Sequence, residues 1–344
     1  MTTTRSRRLL SVALLVTAAL LADAAAALAT TDTELQEVQG FPTLVRKPVT
    51  FWSDGTRLRG DVFLPKGLPA GEKLPTIVLC HGWGGVKSHL NQRIAPQFAA
   101  AGFAVLAFDY RGWGESDGRL VVRGEMPERD AEGNVTVKAE HVREVVDPLD
   151  QEEDIDAAIT FMEGEPYVDT ARIGIWGSSF GASHVIWRAG NDARVKAVVS
   201  QVGGYPRTGT DLVAASADAS AHAIKMQRVR GEIDPMPRLG NIAEFPELRG
   251  VPHPEHIAAF RPGDFIDRIN VPVQIIQAEK EHYFPVKDHG DWAYEKLKSR
   301  GVPVEYHVMK GIGHYDIYRP PALDEAMKLE VAFFEKYLEG AAAR

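Results

Sequence analysis

Short apolar runs recur along most of this chain, separated by stretches whose apolar residues fall at helical spacing. Residues 49–52 and 58–64 flank Ser53-Asp-Gly-Thr56, and the Asp54-Gly55 pair predicts a hairpin turn between two strands. Residues 76–80 and 103–108 are apolar without polar alternation, and a helical stretch at 86–101 separates them. Further strand-like runs lie at 173–176, 195–202, 271–276 and 304–309, with helical stretches at 152–163, 289–300 and 323–338. In the first of these helices Ile155, Ala158, Ile159 and Met162 form one buried face. Uninterrupted Val/Ile/Leu runs alternating with helices predict an α/β domain whose mostly parallel central sheet is covered by helices on both faces.

Two segments break the alternation. Residues 121–147 are polar and charged and read as a surface excursion. Residues 205–269 contain a helical piece at 211–230, then Pro235, Pro237, Pro246, Pro252 and Pro254, and read as a small helical cap over the mouth of a site. His222, His253 and His256 lie in that insertion without metal-ligand companions at convincing sequence spacing, and read as surface or cap residues.

At the amino terminus Arg5, Arg7 and Arg8 precede a run of Leu, Ala and Val that ends in Ala27-Leu28-Ala29. A basic start, an apolar centre and a small–x–small end predict a secretory signal at 1–29, leaving a mature domain at 30–344. Ser6-Arg-Arg-Leu-Leu10 loosely matches a twin-arginine signal, so the general and twin-arginine routes both stay open. The expected location is secreted or periplasmic, with no stable membrane anchor after cleavage. Loss of three arginines and Asp23 takes the formal charge from −8 to −10, which argues against attraction to nucleic acid. The single cysteine, Cys80, forms no intramolecular disulfide. Nothing in the sequence sets the oligomeric state.

Candidate chemistry centres on Gly177-Ser-Ser-Phe-Gly181, where an apolar run meets a helical one. A tight strand–turn–helix junction needs small residues two before and two after its exposed side chain, which selects Ser179. Centring the pattern on Ser178 would put Trp176 and Phe180 in the small positions. A serine hydroxyl becomes a competent nucleophile when a histidine takes its proton and a carboxylate fixes that histidine's tautomer. Two later strands end in loops at the same sheet edge: Gln277-Ala-Glu-Lys-Glu281 and Gly311-Ile-Gly-His314. The expected order is therefore Ser179 nucleophile, Glu281 orienting acid and His314 base, with Glu279 the rival acid and His282 the rival base. After residues 76–80, His81-Gly-Trp-Gly-Gly85 offers the Trp83 amide, which with the Phe180 amide would hold an oxyanion. Asp109 and Arg111 read as residues that pin neighbouring loops. No cofactor is called for, and no Cys/His/Asp/Glu spacing compels a metal site.

Together these motifs resemble the α/β-hydrolase superfamily over residues 49–338. Phe51-Trp-Ser-Asp-Gly55, His81-Gly-Trp-Gly-Gly85, Asp109-Tyr-Arg-Gly-Trp-Gly114 and residues 177–181 look like landmarks of its dienelactone-hydrolase-like and X-prolyl-peptidase/cocaine-esterase-like groups. The resemblance implies the α/β-hydrolase fold and the same residue roles: Ser179, His314, Glu281 and the Trp83 and Phe180 amides. The chain departs from the pattern in three ways. It has serine where dienelactone hydrolases proper use cysteine, Phe180 where the X-prolyl group often has tyrosine, and glutamate at 281 where most relatives have aspartate. The expected activity is carboxylic ester hydrolysis of a small-molecule substrate. Peptidase or amidase chemistry with the same triad is the alternative, and a catalytically silent binding protein a third reading.

Overall fold

The computed structural model describes residues 34–208, 214–238 and 248–339. The expected signal at 1–29 lies outside them. The described residues from Gln36 onward form one compact unit built on a nine-stranded sheet: β1 (Gln36–Val38), β2 (Phe41–Ser53), β3 (Thr56–Pro65), β4 (Leu74–Cys80), β5 (Ala104–Asp109), β6 (Val168–Ser178), β7 (Val195–Gln201), β8 (Val273–Lys280) and β9 (Val304–Gly313). Their spatial order is β1-β2-β3-β5-β4-β6-β7-β8-β9. The first three strands run antiparallel to their neighbours, and every pairing from β5 to β9 is parallel. The predicted hairpin is the β2–β3 connection. Ser53 pairs with Thr56, and Asp54 and Gly55 both have positive φ (43° and 74°), the backbone sense that matches strand twist in a two-residue turn.

All seven residues of β4 and all six of β5 are buried, because helices cover both sides of the sheet. Successive side chains alternate between two cores. Val78, Leu106 and Ile175 pack on one face with Ile155 and Val185, which come from α3 (Pro148–Glu163) and α4 (Phe180–Ala189). Ile77, Val105 and Trp176 pack on the other with Leu90 from α1 (Lys87–Asn91), Phe98 from α2 (Ala95–Ala100) and Phe334 from α8 (Ala322–Phe334). The single helix expected at 86–101 is thus two. Pro96 sits in the first turn of α2, where its missing N–H costs nothing, whereas inside a continuous helix it would break the ladder.

The polar excursion forms a small hairpin, Leu120–Val122 paired with Ala139–His141. Val145–Val146 then pairs with Val251–Pro252, tying this region to the chain between β7 and β8. The described part of that long connection carries α5 (Ala214–Val229), α6 (Pro254–Ala259) and a 3₁₀ segment, Pro262–Arg268. The remaining helix, α7 (Trp292–Ser299), lies between β8 and β9. Asp109 and Arg111 hold loops together. The Asp109 carboxylate accepts from the amides of Lys87 (2.7 Å) and Glu115 (2.9 Å), and Arg111 Nε donates to Asp154 at 2.8 Å. No helix among the described residues is long and apolar enough to cross a membrane.

One buried group makes a stability prediction. Glu330 on α8 is fully buried with no hydrogen bond to either carboxyl oxygen among the described residues. Burial pushes its carboxyl up to about 8. The folded chain therefore keeps this proton over a pH range in which the unfolded chain has lost it, so stability falls as pH rises from about 4.5 to about 8. Glu330→Gln removes that slope. Thermal unfolding is expected to show the variant equal to the parent near pH 4 and higher in Tm by roughly 2–6 °C at pH 8. A difference that does not change with pH would mean that the carboxylate finds a charge partner.

Candidate active site

The elbow forms where β6 ends at Ser178 and α4 begins at Phe180. Ser179 between them has φ 58° and ψ −121°, a strained conformation for a residue with a side chain. Glycines make the turn possible. A Cβ on Gly177 would overlap the carbonyl oxygen of Gly181, one on Gly181 would overlap that of Cys80, and one on Gly82 would lie 2.9 Å from the Ser179 Cβ. Ser178 is buried and its hydroxyl is engaged, 2.7 Å from the Tyr318 hydroxyl and accepting from Gln201 Nε2 at 2.8 Å.

The structure brings Ser179, His314 and Glu281 into one chain of hydrogen bonds. His314 directly follows β9, and its Nε2 lies 3.0 Å from Ser179 Oγ. Its Nδ1 lies 2.6 Å from Glu281 Oε2. The second carboxylate oxygen, Oε1, accepts from the amides of His282 and Tyr283, each at 2.9 Å. Burial alone would raise the Glu281 carboxyl. The His314 imidazole and the two amides outweigh it and hold the group below the usual glutamate range, so it is charged at neutral pH. A carboxylate at Nδ1 keeps the proton there and leaves the Nε2 lone pair facing the serine hydroxyl. Tyr283 and Tyr315 pack edge-on against the imidazole, with ring centroids 4.7 and 5.2 Å away, and restrain its rotation.

The rival groups are placed elsewhere. Glu279 is exposed; it accepts from Lys310 Nζ at 3.0 Å and from the Gly311 amide at 2.8 Å. His282 is exposed, with its ring 6.2 Å from that of His314. The segment expected as an acid-bearing loop is mostly strand: β8 continues through Lys280, which pairs with Gly313, after a register shift beyond Ala278. Glu281 is the first residue past the ladder. Cys80 is wholly buried and desolvation pushes its thiol up to about 12, which leaves it inert.

Trp83 stands in the turn after β4, and Phe180 is the first residue of α4, where an amide has no partner within its own helix. Their rings meet at 5.3 Å in a T-shaped contact. His81 shapes this turn: its Nδ1 lies 3.1 Å from the Gly82 carbonyl, and burial lowers the imidazole to about 4, so it is neutral at pH 7. A cavity of about 350 Å³ opens above Ser179 and His314 between Trp83, Leu90, Ile94, Leu248, Tyr318 and Leu323. Leu248 comes from the long insertion. Sequence reading missed Tyr315 and Tyr318, although both closely follow His314. It also left His253 and His256 without companions. The structure corrects that: the two rings stack at 3.8 Å, and His256 Nδ1 lies 2.7 Å from an Asp147 oxygen.

Comparison with known proteins fits this architecture. The dienelactone hydrolase family model matches residues 60–234, and the prolyl oligopeptidase family model matches residues 150–341. An uncharacterized 31.7 kDa protein of the traX-finO intergenic region of Escherichia coli is 28% identical over 309 residues, spanning 82% of this chain and 98% of that protein. The quorum-quenching protein AidA of Acinetobacter baumannii is 36% identical over 127 residues, 37% of this chain and 34% of AidA. The crystal structure of the α/β hydrolase GrgF from Penicillium sp. superposes with a TM-score of 0.63 at 19% identity, covering 86% of this chain and 99% of that one. With the sheet order, the elbow and these matches in agreement, the chain belongs to the α/β-hydrolase superfamily and is a hydrolase related to its dienelactone hydrolase and prolyl oligopeptidase families.

Proposed function

We propose that this protein is a serine esterase that cleaves carboxylic esters through an acyl-enzyme intermediate. The observation that carries the reading is the hydrogen-bonded chain Ser179–His314–Glu281 at a strained elbow. Ser179 Oγ attacks the ester carbonyl carbon as His314 Nε2 takes its proton. The Trp83 and Phe180 amides stabilise the negative charge on the carbonyl oxygen. Collapse of the tetrahedral intermediate breaks the ester C–O bond, and His314 returns the proton to the departing alkoxide. Water, deprotonated by the same nitrogen, attacks the acyl-serine; His314 then reprotonates Ser179 Oγ and the acid leaves. No step draws on a metal or an organic cofactor.

The insertion between β7 and β8 acts in this reading as a cap that selects substrate, since Leu248 lines the cavity. The cavity is near the lower end of ligand-pocket volumes and largely apolar, which favours short acyl groups over long chains. The leader at 1–29 would deliver the enzyme to the periplasm or the medium. The deciding experiment is turnover of p-nitrophenyl esters from acetate to long-chain acyl, beside X-prolyl and aminoacyl p-nitroanilides. Ester turnover peaking at short chains is expected. A preference for anilides would instead establish the peptidase reading, which the prolyl oligopeptidase match over residues 150–341 favours.

A further inference from the structure

The insertion meets the core at a second cluster of reactive side chains, independent of the elbow. Asp147 caps the N-terminus of α3, its Oδ1 accepting from the amides of Leu149 (3.1 Å) and Asp150 (3.2 Å). Across from it, His253 precedes α6 and His256 lies within it. Donor atoms of Asp147, His253 and His256 all lie within 4.8 Å of one another. Asp147 satisfies only one of the two imidazoles. His253 is 6% exposed, and its Nδ1 is buried with no hydrogen-bond partner among the described residues. Glu255 Oε2 stands 3.2 Å from that nitrogen without making a hydrogen bond, and its other oxygen is held by Arg228 Nε at 2.7 Å. Two imidazoles whose donor atoms lie within 4.8 Å of each other and of one carboxylate, one of them buried and outside the hydrogen bond that holds the other, present a cation with nitrogen and oxygen donors already gathered in one place.

We propose that Asp147, His253 and His256 bind one divalent transition-metal ion of the zinc class, which fastens the insertion to the N-terminus of α3. Two imidazole nitrogens and one carboxylate oxygen form a donor set that selects Zn²⁺ or Co²⁺ over Ca²⁺ and Mg²⁺. Ligand atoms around a tetrahedral zinc are roughly 3.3 Å apart, so seating the ion draws His253 in toward donors that now lie within 4.8 Å of it and parts the His256 Nδ1–Asp147 pair, now 2.7 Å apart. The rings are now parallel, 7° apart, which sends their in-plane lone pairs past each other; one ring tilts to seat the ion. The metal replaces the proton shared by His256 Nδ1 and Asp147, and that proton goes to solvent. His256 is only half-buried, which gives the ion its entry path and leaves a fourth position for water.

Titration of the purified metal-free protein with Zn²⁺ against a chromogenic chelator tests this, with thermal unfolding and the visible spectrum of the Co²⁺ form as further readouts. One ion per chain, a raised Tm and a strong d–d band of tetrahedral Co²⁺ are expected, and His253→Ala and His256→Ala should each weaken binding at least tenfold while His314→Ala leaves it intact. The proposal is overturned by the lack of saturable one-to-one binding in the parent protein, by binding that survives both substitutions, or by binding lost in His314→Ala. A weak six-coordinate Co²⁺ spectrum in the parent protein overturns it even where a substituted chain fails to fold.

Discussion

Ser179→Ala is expected to lower kcat roughly 10⁴- to 10⁶-fold for every ester that the parent enzyme turns over, while leaving the fold in place. The Ser179 hydroxyl is 3.0 Å from His314 Nε2, and no neighbour can replace it. The adjacent Ser178 hydroxyl is committed to Tyr318 and Gln201, and the Cys80 thiol is buried and protonated. Residual turnover would come from the Trp83 and Phe180 amides acting on a water attack. Ser179→Gly should be equally inactive yet more stable than the alanine variant. Both lose the oxygen, but only glycine relieves the positive φ of 58°, an effect on the order of 1 kcal/mol. Steady-state kinetics, labelling with a serine-reactive phosphonate and calorimetry of the three chains check these points together. Activity retained in Ser179→Ala would remove Ser179 as the nucleophile.

How much of this was legible in the sequence depended on whether a feature is local. The buried runs at 76–80 and 103–108 announce a sheet covered on both faces, since a half-exposed strand would alternate. Gly177 and Gly181 point to Ser179 because the elbow's steric demand falls at fixed offsets from the exposed residue, and the structure shows the overlaps a side chain would cause there. The boundary between β8 and its loop was not legible. Glu279 and Lys280 are polar, yet the ladder to β9 runs on past them. Apolar patterning ends where burial ends, whereas backbone pairing continues into solvent. The Asp147–His256 contact was invisible for another reason: its members lie more than a hundred residues apart, in segments that meet only in the fold, where 145–146 pairs with 251–252. The walls of the cavity likewise come from distant parts of the chain, with Leu90, Leu248 and Leu323 meeting only in the fold.

The choice between Glu281 and Glu279, which sequence leaves open, yields the second large effect. Glu281→Gln is expected to cut kcat roughly 10²- to 10⁴-fold, and Glu279→Gln to leave it within about twofold of the parent, as for surface changes generally. The asymmetry follows from hydrogen-bond direction. The amides of His282 and Tyr283 donate to Glu281 Oε1, so in the glutamine variant the carbonyl oxygen stays with them and the NH₂ group turns to His314. An NH₂ group donates, which forces His314 Nδ1 to accept and moves the ring proton to Nε2. The lone pair that should receive the Ser179 proton is then gone, although the packing around it is nearly unchanged. Glu279 serves Lys310 and the Gly311 amide at the surface, and its loss leaves the imidazole's tautomer alone. Kinetics of the two variants on one ester decide the matter. A large loss with Glu279→Gln and none with Glu281→Gln would transfer the orienting role to Glu279 and require the loop after β8 to rearrange. The expected pattern, with KM near the parent value in both, would place Glu281's effect on proton transfer, because a carboxylate behind the histidine touches no part of the substrate.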